Sequence, residues 1–461
     1  MLTPFLAVAT IALGAPGTPS SPMDSSAIAR VLLLLRSADT TVCELAAETI
    51  GNSWGMRWGS DLLPMPMPMP MPTPMPMPMM RHGSFRVPHP HVHIRHGWWS
   101  DEPATLGAFR PFLRDESRCV RNLAARVLGR ARAAGSYDAF LALLRDASPG
   151  LRETGALGLG ELDDQRALGS LQEALRDRDP GVRAAAARGL GEIDDSSSVG
   201  PLARVLTDES EHVRLAAAWA LGSIDAPGAI EPLGRTLHDR SSTVRTMAAW
   251  ALGARASRSA VTALGGALKD PSPAVRRVVA WALGQAGGQD AVDQLQPLLG
   301  DSDPAVRVAA AHALGEIGSS EAVPHLSALV RDTSREVRRT AIWGLGQSGD
   351  RAAVSALGGG LKDRDADVRQ LSAWALGEVG DASAVALLAG ALKDAEPEVR
   401  GAAAWALGQI GSAEARAPLE TALKDSSPEV RAAAQWALDQ IDDDGHRGPR
   451  PRPRVRVRGG I

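Results

Sequence analysis

Ala402-Ala403-Ala404-Trp405-Ala406-Leu407-Gly408-Gln409 is the stretch whose reading decides the fold, because it returns along the chain. Ala217-Ala218-Trp219-Ala220-Leu221-Gly222 carries the same signature, as do the Trp-Ala-Leu-Gly runs at Trp250, Trp281, Trp374 and Trp405. Trp343 and Trp436 hold the same position. Five residues before each Trp stands an Arg, and that Arg recurs every 31 residues from Arg121 to Arg431, eleven times without an insertion. A fixed period of roughly 20–50 residues marks a solenoid, a propeller or another repeat array.

One copy shows what the unit is. Between Asp381 and Asp394, Val385, Leu388 and Leu392 fall three and four residues apart, which predicts an amphipathic helix. Ala395-Glu396-Pro397 interrupts it and opens another. In six of the eleven copies Pro stands at the first helical position, after an Asp, Ser or Glu at the N-cap, as in Asp179-Pro180, Asp303-Pro304 and Ser427-Pro428. The second helix carries a core stripe of Val399, Ala402, Ala403, Ala406 and Leu407 and ends near Gly411. Two short helices cannot bury their apolar faces alone, so each copy must stack on its neighbours. The expected fold is all-α: an α-solenoid of about eleven 31-residue helix-turn-helix repeats over residues 103–442.

These residues resemble HEAT repeats, of the short HEAT-like class of the phycobilisome lyases. The pattern D-x-x-P-x-V-R-x-x-A-A-x-A-L-G-x-I-G is nearly intact in Asp301 to Gly318 and in Asp394 to Gly411. The resemblance implies the fold and not an activity, since this scaffold serves lyase subunits, regulators and adaptors alike. Members of the wider class that hydroxylate a modified lysine carry His-Glu pairs for iron. Here His212, His238, His312 and His325 are never followed by Glu.

An Asp precedes each repeat Arg by six residues, from Asp115 to Asp425. The Asp is expected at the C-terminal end of a first helix and the Arg in the opening turn of a second, both unfavourable to the local helix dipoles. A structural ladder of Asp–Arg pairs along the stack compensates them in this reading. It includes Asp208, Arg214, Asp239, Arg245, Asp301, Arg307, Asp394 and Arg400. HEAT repeats are known for such a ladder. The Gly that recurs from Gly129 to Gly408 lies inside a helix, at a cost of about 1 kcal/mol against Ala, and its expected use is close helix approach.

The flanks read differently. Residues 1–22 hold an apolar run from Phe5 to Ala15 followed by small residues, too short to span a bilayer. The run resembles a signal peptide, with export to the periplasm or the outside as the consequence. No Lys or Arg precedes it, so an ordinary N-terminus in a cytoplasmic protein is the alternative. Residues 23–51 form a degenerate capping repeat in which Cys43 replaces the Arg and Ser37 the Asp. Residues 52–102 are an insert. Its alternating Met and Pro from Leu63 to Met80 forbid helix and sheet interiors and predict an extended spacer. In the same insert His89, His91 and His93 fall on one side of an extended chain, with His96 beyond. Imidazoles so placed suit zinc, copper or nickel, but no Cys or carboxylate at ligand spacing joins them, and a solvated His-rich loop is the alternative. Whether Cys43 and Cys119, the two cysteines, pair is open. Residues 443–461 contain six Arg among Pro and Val, a cationic tail suited to an anionic partner.

Net charge is −3. Without the arginines of the tail the remainder is more acidic, which argues against a groove for a specific nucleic acid. No nucleophile elbow, phosphate loop or dinucleotide fingerprint occurs, and no cofactor is called for. The chain therefore reads as a non-enzymatic interaction scaffold, binding a protein or peptide on its concave face. A lyase-like or metal-handling accessory role through the His-rich insert is the alternative. The partner-binding candidates are Trp219, Trp250, Trp281, Trp343, Trp374, Trp405 and Trp436 with Gln285, Gln347 and Gln409. Each Gln stands one turn beyond its Trp, so ring and amide share a face. The pairing is similar to the Trp and Asn pairs with which armadillo solenoids hold extended peptides. Packing of each Trp against the neighbouring second helix is the competing reading.

Overall fold

A computed structural model of the chain describes residues 106–442, in which helices and the turns between them account for the fold and no strand occurs. The flanking assignments over 1–22, 23–51, 52–102 and 443–461 lie outside the described residues, and with them Cys43 and the His89–His96 segment. The described chain divides into two compact units, 106–251 and 252–442, each a stack of the same repeat. No helix among the described residues is long and apolar enough to cross a membrane.

Each repeat folds as the pattern of apolar residues requires, with one difference at the first helix. In the copy read above, a 3-10 turn Ala382–Ala384 leads into the helix Val385–Ala391, and the second helix spans Pro397–Ile410. The first helix thus stops three residues short of Asp394, which belongs to the interhelical turn rather than to the helix end. The cause is local. The Asp394 Oδ1 accepts the backbone N–H of Glu396 at 3.0 Å, and this turn leaves no room for a continuing helix. The same bond recurs at Asp208 with Ser210 (2.9 Å) and at Asp301 with Asp303 (2.9 Å). Second helices end where Gly318, Gly349, Gly380 and Gly411 take the left-handed conformation.

Within each unit the second helices pack extensively on one another, whereas successive first helices touch little. Val399, Ala402, Ala403, Ala406 and Leu407 are all buried, as are Val385 and Leu388 from the first helix. The mid-helix glycine is what allows the approach. A Cβ on Gly408 would lie 2.7 Å from the Cα and 2.8 Å from the Cβ of Ala437 in the next repeat. Gly222 and Ala251 stand in the same relation in the first unit, and Gly253 and Ala282 in the second. The helix-propensity cost of this Gly is accepted at every step because the neighbouring backbone occupies the space of a methyl group.

Gly408→Ala should therefore destabilise by about 1–3 kcal/mol through overpacking, despite the better helix former. Gly390→Ala, where a Cβ meets nothing within 4 Å, should stabilise by up to about 1 kcal/mol. Urea denaturation of the two variants checks both signs, and equal shifts would refute the close-approach role.

Candidate functional site

Two rows of side chains repeat along each unit, one at the turns between helices and one on the wall of second helices.

The turn row is electrostatic. In the first unit Arg152, Arg183 and Arg214 each place Nε and one terminal nitrogen on both oxygens of Asp177, Asp208 and Asp239, at 2.7–3.0 Å. In the second unit Arg276, Arg307, Arg338, Arg369 and Arg400 bind Asp301, Asp332, Asp363, Asp394 and Asp425 in the same way, at 2.6–3.0 Å. The partner is always 25 residues ahead, in the next repeat. The Asp six residues before the Arg contributes its main-chain carbonyl instead, accepting from the other terminal nitrogen, as in Arg307 to Asp301 at 2.8 Å and Arg245 to Asp239 at 2.8 Å. Each guanidinium thus closes its own turn and clasps the following one. These pairs are largely shielded from solvent, which strengthens them. The guanidinium of Arg276 holds the Asp301 carboxyl below the usual carboxylate range, against the opposing effect of burial. The first repeat departs from the rule. Arg121 turns to Thr154 at 3.3 Å, and Asp146 pairs with Arg114 at 3.0 Å.

The wall row is aromatic. Trp219, Trp250, Trp281, Trp343 and Trp374 are half-buried, while Trp405 and Trp436 are buried. Each ring rests its Cζ3 edge against the mid-helix glycine of the preceding repeat. Trp219 lies over Gly191, Trp250 over Gly222, Trp281 over Gly253 and Trp343 over Gly315. Trp374, Trp405 and Trp436 lie over Gly346, Gly377 and Gly408. Packing against the neighbouring second helix therefore takes one edge of every ring. Gln285 and Gln347 are exposed one turn beyond their tryptophans, and Gln409 is half-exposed. In the first three described repeats the Trp position is held by Arg126, Leu157 and Arg188. Arg130 and Arg126 face Glu161 there, at 2.8 and 3.6 Å. The sequence motif concealed these three, because the position shows only when counted from the Arg.

Comparison with known proteins settles the family. The HEAT-repeat profile matches seven overlapping segments, 107–179, 170–253, 213–269, 231–302, 261–336, 326–396 and 384–449.

The chain belongs to the HEAT-repeat family.

Among curated proteins none matches it significantly. Among solved structures, a chain from the complex in which Kap95p binds RanGDP is similar over 96% of this chain and 67% of its own, with 14% identity and a TM-score of 0.50. An engineered protein is 24% identical over 67% of this chain and 99% of its own, with a TM-score of 0.42. Human deoxyhypusine hydroxylase in complex with glycerol is 26% identical over 53% of this chain and 96% of its own, with a TM-score of 0.26.

Within the HEAT repeats, no group of three or more His, Cys, Asp and Glu is arranged to hold a metal among the described residues. Two shallow depressions flank Arg214 and Arg240, one polar and the other lined also by Ala203, Leu206 and Pro232, and neither is lined by a tryptophan. His312 takes the Trp position in its repeat and stacks on Trp343, with centroids 4.8 Å apart and planes within 9°. Burial lowers its pKa, and Glu316 at 3.8 Å acts the other way.

Two outcomes follow from these rows. Asp301→Ala should cost about 1.5–3 kcal/mol at neutral pH, the worth of hydrogen bonds to a charged group. Since the folded pKa of Asp301 is depressed, its contribution is complete above the unfolded value of about 4 and disappears as pH falls through the folded value. Denaturation midpoints of wild type and variant should therefore converge in acid. His312→Trp should be accommodated, because Gly284 offers the seat that Gly253 offers Trp281. His312 folds best neutral, so wild-type stability should decline as pH falls from about 6.5, and that decline should be absent in the variant. A His312→Trp chain that melts well below wild type at neutral pH would contradict the seat.

Proposed function

We propose that the chain is a non-enzymatic interaction scaffold which holds an extended peptide of a protein partner on the concave wall of its second helices. HEAT solenoids commonly serve as protein-interaction scaffolds. The observation that carries the finer reading is that stacking does not need the tryptophan. Repeats bearing Leu157, Arg188 and His312 at that position stack on the preceding repeat as the others do. A large aromatic kept at seven positions without a packing requirement is then a recognition surface. Half-buried rings offer flat apolar faces to proline or aliphatic side chains, and an amide one turn on pairs with a peptide backbone. Spacing along the wall, one helix diameter of about 8–10 Å per repeat, suits three residues of an extended chain.

Gln285→Ala with Gln347→Ala tests this without disturbing the fold, since both side chains are exposed. Extended peptides selected from a display library on the wild type should bind the double variant at least tenfold more weakly at an unchanged melting temperature. Equal binding would remove the amides from the site.

A further inference from the structure

One seat on the wall is open. Of the ten mid-helix glycines among the described residues, from Gly129 to Gly408, nine are buried and Gly284 alone is partly exposed. At the seven glycines that a tryptophan follows, the indole Cζ3 comes within 2.6–3.5 Å of where a Cβ would stand. At Gly284 the three nearest atoms all belong to Ala313, the third of them at 3.6 Å, so no atom of the His312 ring comes closer than that. His312 instead lies flat on Trp343 of the following repeat, with centroids 4.8 Å apart. An imidazole also lacks the benzo ring that carries Cζ3. The space that an indole fills in seven repeats is open here.

The rim of this seat is charged. Arg277 and Arg339 stand four residues before Trp281 and Trp343, one turn away on the same face, while Val308 holds that place in the repeat of His312. Both arginines are half-buried, and neither side chain makes a hydrogen bond or an ion pair among the described residues. The Arg339 Nε is buried without an acceptor. Its acidic neighbour Glu336 accepts from the Ser334 hydroxyl at 2.9 Å without reaching ion-pair distance of Arg339. Two guanidiniums without carboxylates, one repeat to either side of His312, are a demand for acids that the fold does not meet. On the opposite lip Glu316, 47% exposed and one turn beyond His312, disfavours an acid beside the ring itself.

We propose that the open seat takes a tryptophan side chain of the partner peptide, with acids three residues to either side of it on Arg277 and Arg339. This rests on the wall being a peptide site and adds what that site selects. The protein itself shows which group fits, because seven of its own indoles rest on glycines of the same row. The spacing follows from the repeat, since a step of about 8–10 Å between packed helices equals about three residues of extended chain at about 3.3 Å each. Charge complementarity selects acids for the flanks, and Glu316 keeps them off the central position. The partner segment is thus an extended acid-x-x-Trp-x-x-acid sequence. His312 is the one break in the tryptophan row from Trp219 to Trp436, and that break gives the wall a register.

The test uses the full-length chain and three fluorescent synthetic peptides. The first is built of proline and serine, with a central Trp and an Asp three residues to either side. The second has Ala for the Trp, and the third has Asn for both Asp. Wild type should bind the first at least tenfold more tightly than either control. His312→Trp, which closes the seat from within, should bind the Trp and Ala peptides alike. Arg277→Gln with Arg339→Gln should lose the preference for Asp over Asn and keep that for Trp. A wild type indifferent to the Trp, or a folded His312→Trp chain that keeps the preference, overturns the proposal. The first of these comparisons needs no variant, so it decides even where His312→Trp does not fold. A preference for Asp that survives the loss of both arginines overturns the flanking contacts. Peptides selected from the display library separate this failure from that of the wall. If they bind while the Trp peptide does no better than its Ala form, the wall stands and the seat falls. If no peptide of either set binds, both fall.

Discussion

Between the first and last repeats, the repeat arginine is fixed to two turns at once, as Arg183, Arg307 and Arg400 show, and the rest of the array depends on that clasp. Its guanidinium satisfies the carbonyl that leads into its own second helix and grips both carboxylate oxygens of the next repeat. That carboxylate in turn accepts the backbone N–H that begins the following helix. The clasp therefore sets the angle between paired helices and the register between repeats with the same atoms. Planar, bidentate donors make this possible, and Lys in the same place could supply only a point charge.

Small residues do the remaining work of stacking. With the Ala and Gly faces of successive second helices in contact, the array needs nothing larger at the Trp position, and several repeats have nothing larger there. Aromatic surface in excess of what packing requires is then available to a partner. The tryptophans are not free of the fold, since each uses one edge to cover a glycine of its neighbour. In the proposed reading they have two roles, and the second is confined to the faces and edges that remain.

How much of this was legible in the sequence follows from the range of each interaction. The 31-residue period, the helix pair and the core stripe are local patterns, and Val399, Ala402, Ala403, Ala406 and Leu407 are buried as their spacing requires. The end of the first helix was misplaced because Asp394 looks like a helix residue until its bond to the Glu396 N–H is seen. Pairing of Arg307 with Asp332, 25 residues ahead, cannot be told from pairing with Asp301, six residues behind, without the direction of stacking. The contact of Trp436 with Gly408 belongs to the same class, a relation between repeats that a motif read along the sequence does not display.

The central claim is that the clasp and the small-residue packing hold the array while the tryptophans recognise a partner. Trp281→Leu with Trp343→Leu tests it most directly, because Leu157 already occupies the equivalent position in a stacked repeat. Folding stability and the binding of library-selected peptides should be measured on the same preparation. The account predicts a loss of stability of about 1–3 kcal/mol, the order of a partly buried aromatic replaced by a smaller apolar group, together with loss of peptide binding. Retained binding in a variant that has lost most of its stability would show that the row is core and nothing more.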